Sequence, residues 1–278
     1  MMPLFHKMSR DCSKIMAAQY STSFNHAIQL LRPSIRPHIF SIYGFVRLAD
    51  EIVDSFHQIN KQDLLQQCKL QTFQAIDTGL SLNPILNSFQ LTVNEFKIDT
   101  GLITCFFDSM QTDLHQHSYD KEGYHKYIYG SAEVVGLMCL TVFCEGNNDL
   151  FDQLKTGACA LGAAFQKVNF LRDIKADYEV LGRTYFPGVD FLHFTEKDKN
   201  EIENDISRDF SMASASIRQL PASSRFGVFV AYRYYLSLFK KIQHTKATEL
   251  IQKRLRISNA GKFFIMMRAG VQNLVNLI

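Results

Sequence analysis

Two groups of oxygen-bearing side chains recur one helical turn apart in otherwise apolar surroundings. In residues 38–56, Tyr43, Arg47, Asp50 and Asp54 are spaced so that, at about 100° per residue, they fall within about 60° of one another. In residues 156–178, Gln166, Asn169, Asp173 and Asp177 fall within about 80° by the same arithmetic, with Arg172 beside them. Carboxylates one turn apart repel, and a buried carboxylate is costly unless it is paired or binds a metal. Arg47 and Arg172 can supply part of the compensation as buried ion pairs. Four aspartates with Asn169 and Gln166 exceed what two arginines neutralise. An all-oxygen donor set suits Mg²⁺, with Mn²⁺ as a substitute, better than zinc or iron. Because Mg²⁺ is usually held by a few carboxylates together with substrate phosphates, a diphosphate substrate follows.

Such stripes need long buried helices to carry them. The 278 residues include only 14 Gly and 6 Pro, with 23 Phe, 11 Tyr, no Trp and 46% hydrophobic residues, which argues against disorder, collagen-like repeats and many-turned β-sandwiches. Apolar residues recur at helical spacing, and the expected breaks are short: 58–61, 79–84, 145–149, 181–188 and 220–224. The expectation is an all-α single domain over 1–278. The helix of the first stripe should start near Pro37, a residue suited to an initial helical position. The helix of the second stripe is expected over 156–178, and its uncharged first half suits a central, closely packed element.

Thirty Lys+Arg against 27 Asp+Glu leave a net charge of +3, which gives no reason to expect a nucleic-acid partner. The six cysteines show neither C-x-x-C pairs nor zinc-site spacing and read as reduced core residues. The first ten residues lack the apolar run of a signal peptide, and the longest charge-free runs, among them 134–144 and 156–166, are about half the ~20 residues needed to cross a bilayer. A cytoplasmic protein without a membrane span is expected.

Asp50-Glu-Ile-Val-Asp54, together with Gln166-x-x-Asn169-x-x-Arg172-Asp173-x-x-x-Asp177 and the following Gly182-Arg-Thr-Tyr-Phe-Pro187, resembles the squalene/phytoene synthase family of head-to-head prenyl transferases. The segments Ser21-Thr-Ser23-Phe24, Tyr127-Ile-Tyr129-Gly-Ser-Ala-Glu-Val-Val-Gly136, Ala231-Tyr-Arg-Tyr234 and Arg256-Ile-Ser-Asn-Ala-Gly-Lys262 extend the likeness over nearly the whole chain. The resemblance implies an isoprenoid-synthase helical bundle around a central cavity, in which two identical allylic diphosphates join through a cyclopropylcarbinyl diphosphate. Asp50, Asp54, Asn169, Asp173 and Asp177 would hold the metal, and Gln166 and Phe24 would line the site. Ser21, Ser23, Arg47, Arg172 and Tyr234 match positions that contact diphosphate oxygens, a task that suits hydroxyl and guanidinium donors. Lys262 would be a further phosphate contact, although the preceding place, basic in some relatives, is Gly261. Tyr43 and Tyr129 would face the cavity and orient diphosphate or help remove the terminating proton; the alternative for both is a core tyrosine with one hydrogen bond.

The substrates implied are two geranylgeranyl diphosphates giving phytoene without NADPH. The alternatives are two farnesyl diphosphates giving dehydrosqualene or squalene, or a non-catalytic assembly or binding protein of the same fold. The eukaryotic squalene branch also usually ends in a membrane helix, which this sequence does not show. A head-to-tail elongating enzyme would show two D-D-x-x-D motifs, which are missing. Glu122-Gly-Tyr-His125 imitates half a di-iron motif without a second copy, so it and the His115-Gln-His117 pair read as surface or loop histidines. Basic residues 240–268 are interleaved with Phe263, Phe264, Met266 and Met267; this pattern fits packing on the bundle or a peripheral contact with membrane lipid.

Overall fold

The structure, a computed structural model, describes residues 2–274 except His57, His117, Val180 and Leu181. His117 of the histidine pair and Leu181 of one expected break therefore lie outside the described residues. Among the described residues the fold is all helix, apart from an isolated bridge between Ser118 and Thr184. The helices are α1 (Met2–Tyr20), α2 (Thr22–Gln29), α3 (Arg36–Asp54), α4 (Lys61–Thr78), α5 (Pro84–Phe96), α6 (Thr100–His115), α7 (Lys121–Ile128), α8 (Val134–Cys144), α9 (Asn148–Glu179), α10 (Glu196–Ile217), α11 (Arg225–Gln243), α12 (Ala247–Leu250) and α13 (Asn259–Leu274). A π-helical turn, Tyr129–Glu133, joins α7 to α8.

The breaks fall where local chemistry stops or starts a helix. Asn60 accepts the Gln62 and Asp63 N–H groups to start α4, and Gly79 ends it at φ 72°, a left-handed geometry that glycine adopts at little cost. Asn83 caps α5 just before Pro84, and a reciprocal Thr195/Asp198 capping box opens α10. Asp99 starts α6 and Asp120 starts α7 in the same way, at breaks the apolar spacing did not mark. The second stripe's helix also starts eight residues earlier than expected, at Asn148 rather than at 156.

α3 separates a solid core from a void. On one side Phe45 stacks on Phe89 at 3.9 Å between ring centres and meets Phe106 and Phe107, all fully buried. The opposite side carries Tyr43, Arg47 and Asp50 and faces a cavity of about 590 Å³. α9 forms the facing wall. It crosses α8 and the π-helical turn before it closely because glycines meet backbone at both places: a Cβ on Gly136 of α8 would lie 2.7 Å from the Ala158 carbonyl oxygen of α9, and one on Gly162 of α9 would lie 2.6 Å from that of Ala132 in the turn. Lys167 of α9, almost fully buried, pairs with Asp205 at 2.5 Å and Asp209 at 2.8 Å on α10, tying those two helices together.

The helical run Lys121–Cys144 is long and apolar enough to cross a bilayer, but 61% of its apolar window is buried inside the protein, where it packs on α6 and α9. It is a core helix of the bundle.

Candidate active site

Along α9 the cavity lining changes character. From Leu154 through Gly157, Ala158, Leu161 and Phe165 it is apolar; from Gln166 through Asn169, Arg172, Asp173 and Asp177 it is polar. Between Leu154 and Asp177 the helix rises about 35 Å, so the void is long, with chemically distinct ends. α3 presents Tyr43, Arg47, Asp50 and Asp54 to the same cavity. The two stripes therefore share one void. Phe24 of α2 sits between them, its ring 5.9 Å from Tyr43, 5.8 Å from Phe165 and 5.5 Å from Tyr235.

The arginines are already engaged. Arg172 holds Asp173 at 3.0 and 2.5 Å, and Arg254, in the segment leading to α13, holds the same carboxylate at 2.6 and 3.1 Å. Arg47 lies 3.7 Å from Asp50, pairs also with Glu51, and covers the ring of Tyr20. Glu51, off the predicted stripe, thus takes part of the charge intended for Asp50. A further anchor comes from Arg183, which lies 2.9 Å from Asp113 of α6 and 3.3 Å from Asp54. Tyr119 and Tyr185 both donate to Asp113 at 3.4 Å.

These pairs do not satisfy every acid. Burial, together with the neighbouring carboxylates Asp54 and Asp113, pushes Asp50 up to about 7 against the pull of Arg47. Burial and Asp173 push Asp177 up to about 7, and burial pushes Asp113 up to about 6 despite Arg183. Acids in this state are short of positive charge. Among the described residues no three His, Cys, Asp or Glu side chains close into a ligand cage. The oxygen donors at this end that could hold a cation are Asp50 and Asp54 on α3 and Asn169, Asp173 and Asp177 on α9.

Ser21, Phe24, Tyr43, Arg47, Asp50, Asp54, Gln166, Asn169, Arg172, Asp173 and Asp177 all line the cavity. Ser21 also caps α2, its hydroxyl accepting the Phe24 N–H at 3.2 Å. Four predicted residues are not among the lining side chains. Ser23 lies on α2 one position from Phe24, about 100° round the helix. Tyr129, expected to face the cavity, is exposed on the outside; Tyr127, about 200° away on the helix, lines the void instead. Tyr234 is buried in a small cluster with Val230 and Ala269, its hydroxyl without a hydrogen-bond partner among the described residues. Its neighbour Tyr235 shares the cavity face with Gly227 and Ala231 and donates to Asn169 at 3.3 Å. Lys262 hydrogen-bonds Thr22, next to Ser21, and burial lowers its pKa. The sequence assigned no role to Asp113, Tyr127, Arg183, Tyr235 or Arg254, although Tyr127 and Arg183 stand inside two of the segments that carry the family resemblance.

A helical bundle thus surrounds a long cavity, apolar at one end and lined by carboxylates and arginines at the other. A family model described as squalene/phytoene synthase matches residues 17–260, and the chain belongs to that family, whose members join prenyl diphosphates head to head. Relatives include the 4,4'-diapophytoene synthase of Staphylococcus haemolyticus, 28% identical over 201 residues that cover 70% of this chain and 67% of the relative. The phytoene synthase of Arthrospira platensis is 26% identical over 270 residues, 88% of this chain and 87% of that protein. Among solved structures, a dehydrosqualene synthase in complex with ligand superposes with a TM-score of 0.83 at 18% identity, over 97% of this chain and 98% of that one, which shows the shared fold.

Proposed function

We propose that this enzyme condenses two molecules of geranylgeranyl diphosphate to phytoene, with Mg²⁺ held by Asp50 and Asp54 on one wall and by Asn169, Asp173 and Asp177 on the other. The observation that carries this reading is the convergence of the α3 and α9 stripes on the polar end of one cavity whose remainder is apolar. Phytoene synthases of Arthrospira platensis and Solanum lycopersicum among the relatives support the choice of substrate.

When bound, Mg²⁺ supplies Lewis-acid stabilisation of the departing diphosphate. Arg172 and Arg254 offer guanidinium N–H groups to its oxygens, and Arg47 adds charge from the opposite wall. Burial pushes the Tyr43 phenol up to about 12, so it stays protonated and donates a hydrogen bond to diphosphate rather than removing a proton. The C1–O bond of the first substrate breaks, with its electron pair leaving on diphosphate. The double bond of the second substrate attacks the resulting allylic cation, and loss of a proton closes the cyclopropylcarbinyl diphosphate. A second ionisation, rearrangement and proton loss give the linear triene. Phe24, Phe165, Tyr235 and Leu161 keep water from the cations throughout.

The test is incubation with geranylgeranyl or farnesyl diphosphate and Mg²⁺, with and without NADPH, followed by mass and ultraviolet identification of the hydrocarbon. Phytoene formed without NADPH supports the proposal. The diapophytoene synthase relative favours a second reading, two farnesyl diphosphates giving dehydrosqualene, and that product alone would select it. Squalene appearing only with NADPH would overturn both. A protein that binds prenyl diphosphates with no turnover would favour the non-catalytic alternative.

A further inference from the structure

We propose that the outer face of α13 docks on an anionic lipid surface. The inner face of this helix is accounted for: Ala269 is fully buried with Val230 and Tyr234 of α11, and Ile265 packs against the same cluster. Phe263, Phe264, Met267 and Val271 lie within about 100° of one another on the opposite side. They are 54, 71, 53 and 57% exposed. A helix that is apolar on two opposed faces needs cover on both, and the described residues cover only one.

Charge selects the occupant. Residues 251–274 contain Lys253, Arg254, Arg256, Lys262 and Arg268 and no acidic residue. α2 and α11, beside α13, contain no acidic residue either, and α11 adds Arg225, Arg233, Lys240 and Lys241. Arg233 and Arg268 are close enough for their like charges to oppose one another. Arg268 lies about 40° beyond Phe264, flanking the apolar stripe. This uniformly basic rim repels a second copy of itself and complements anionic headgroups, while the two Phe rings supply the apolar anchor. The chain around α13 also reaches the cavity wall: Arg254 lines the cavity, and Lys262, on the inner side of the helix, hydrogen-bonds Thr22, next to cavity-lining Ser21.

The experiment is flotation of the full chain with vesicles of phosphatidylcholine, alone or mixed with phosphatidylglycerol. Wild type should float with the mixed vesicles and much less with phosphatidylcholine alone, and added salt should release it. Phe263→Ser/Phe264→Ser and, separately, Arg268→Glu should each weaken vesicle binding at least about tenfold. Both should retain wild-type turnover of detergent-dispersed substrate, so the readout is independent of which prenyl diphosphate the enzyme takes. Wild type left behind by the mixed vesicles, or the Phe variant floating as well as wild type, would overturn the proposal. So would a wild-type dimer that the Phe variant converts to monomer, because a second copy would then occupy this face.

Discussion

Arg183 Nη1 lies 2.9 Å from Asp113 Oδ2, and its Nη2 donates at 2.9 Å to the Asp113 carbonyl, so one guanidinium fixes both side chain and backbone of a residue 70 positions away. The pair is buried and also reaches Asp54 at 3.3 Å, coupling α6 to the C-terminal, cavity-lining end of α3. Removing one partner of such a pair leaves an unpaired buried charge, at a cost of about 3–5 kcal/mol. Arg183→Leu should therefore lose stability of that order in urea titrations. Arg183→Leu/Asp113→Leu should be more stable than the sum of the two single losses predicts. Strict additivity would mean that the pair is not a unit.

The two tyrosine neighbours give a sharper contrast. Tyr234→Phe removes a buried hydroxyl that has no partner, so stability should stay level or rise by up to about 1 kcal/mol, with turnover unchanged. Tyr235→Phe removes the hydrogen bond to Asn169 in the cavity wall and should slow turnover. Similarly, Tyr127→Phe should affect kcat while Tyr129→Phe should not. Steady-state assays of the four variants decide it, and a slow Tyr234 variant would restore the role its motif suggested.

How far the site was legible follows from these residues. The carboxylate stripes could be read because a polar period of one turn stands out in apolar helices such as α3 and α9. A motif match locates a neighbourhood without fixing which side of the helix a residue occupies, and so Tyr129 and Tyr234 were chosen where Tyr127 and Tyr235 face the cavity. Arg183 and Asp113 meet only through the tertiary fold, with no sequence period to link them. Phenylalanine richness by itself foretold only a large apolar interior; the family resemblance placed Phe24 in an open lining, and neither marked the packed cluster around Phe45.

Stability should depend on pH through the acids at the polar end. Asp50 and Asp177 stand at about 7 and Asp113 at about 6, raised from 3.8, so the folded protein holds these protons more tightly than the unfolded chain. Their stabilising contribution is complete below about pH 4 and is lost as pH rises through about 7. Metal-free protein should therefore melt at a lower temperature at pH 8 than at pH 5, and Mg²⁺ should restore more of the loss at pH 8. Asp50→Asn should flatten the profile. Equal melting temperatures across this range, with and without Mg²⁺, would count against the charge-deficient site.

The most direct test of the two-stripe account is diphosphate release by wild type, Asp50→Asn and Asp173→Asn, with saturating Mg²⁺ and the same prenyl diphosphate. Asp50 stands on α3 and Asp173 on α9, so each variant disables one wall. Each should lose about a thousandfold in turnover, roughly 4 kcal/mol of transition-state stabilisation, with helical circular dichroism unchanged. Wild-type diphosphate release by either variant would contradict the assignment of the paired stripes as the catalytic centre.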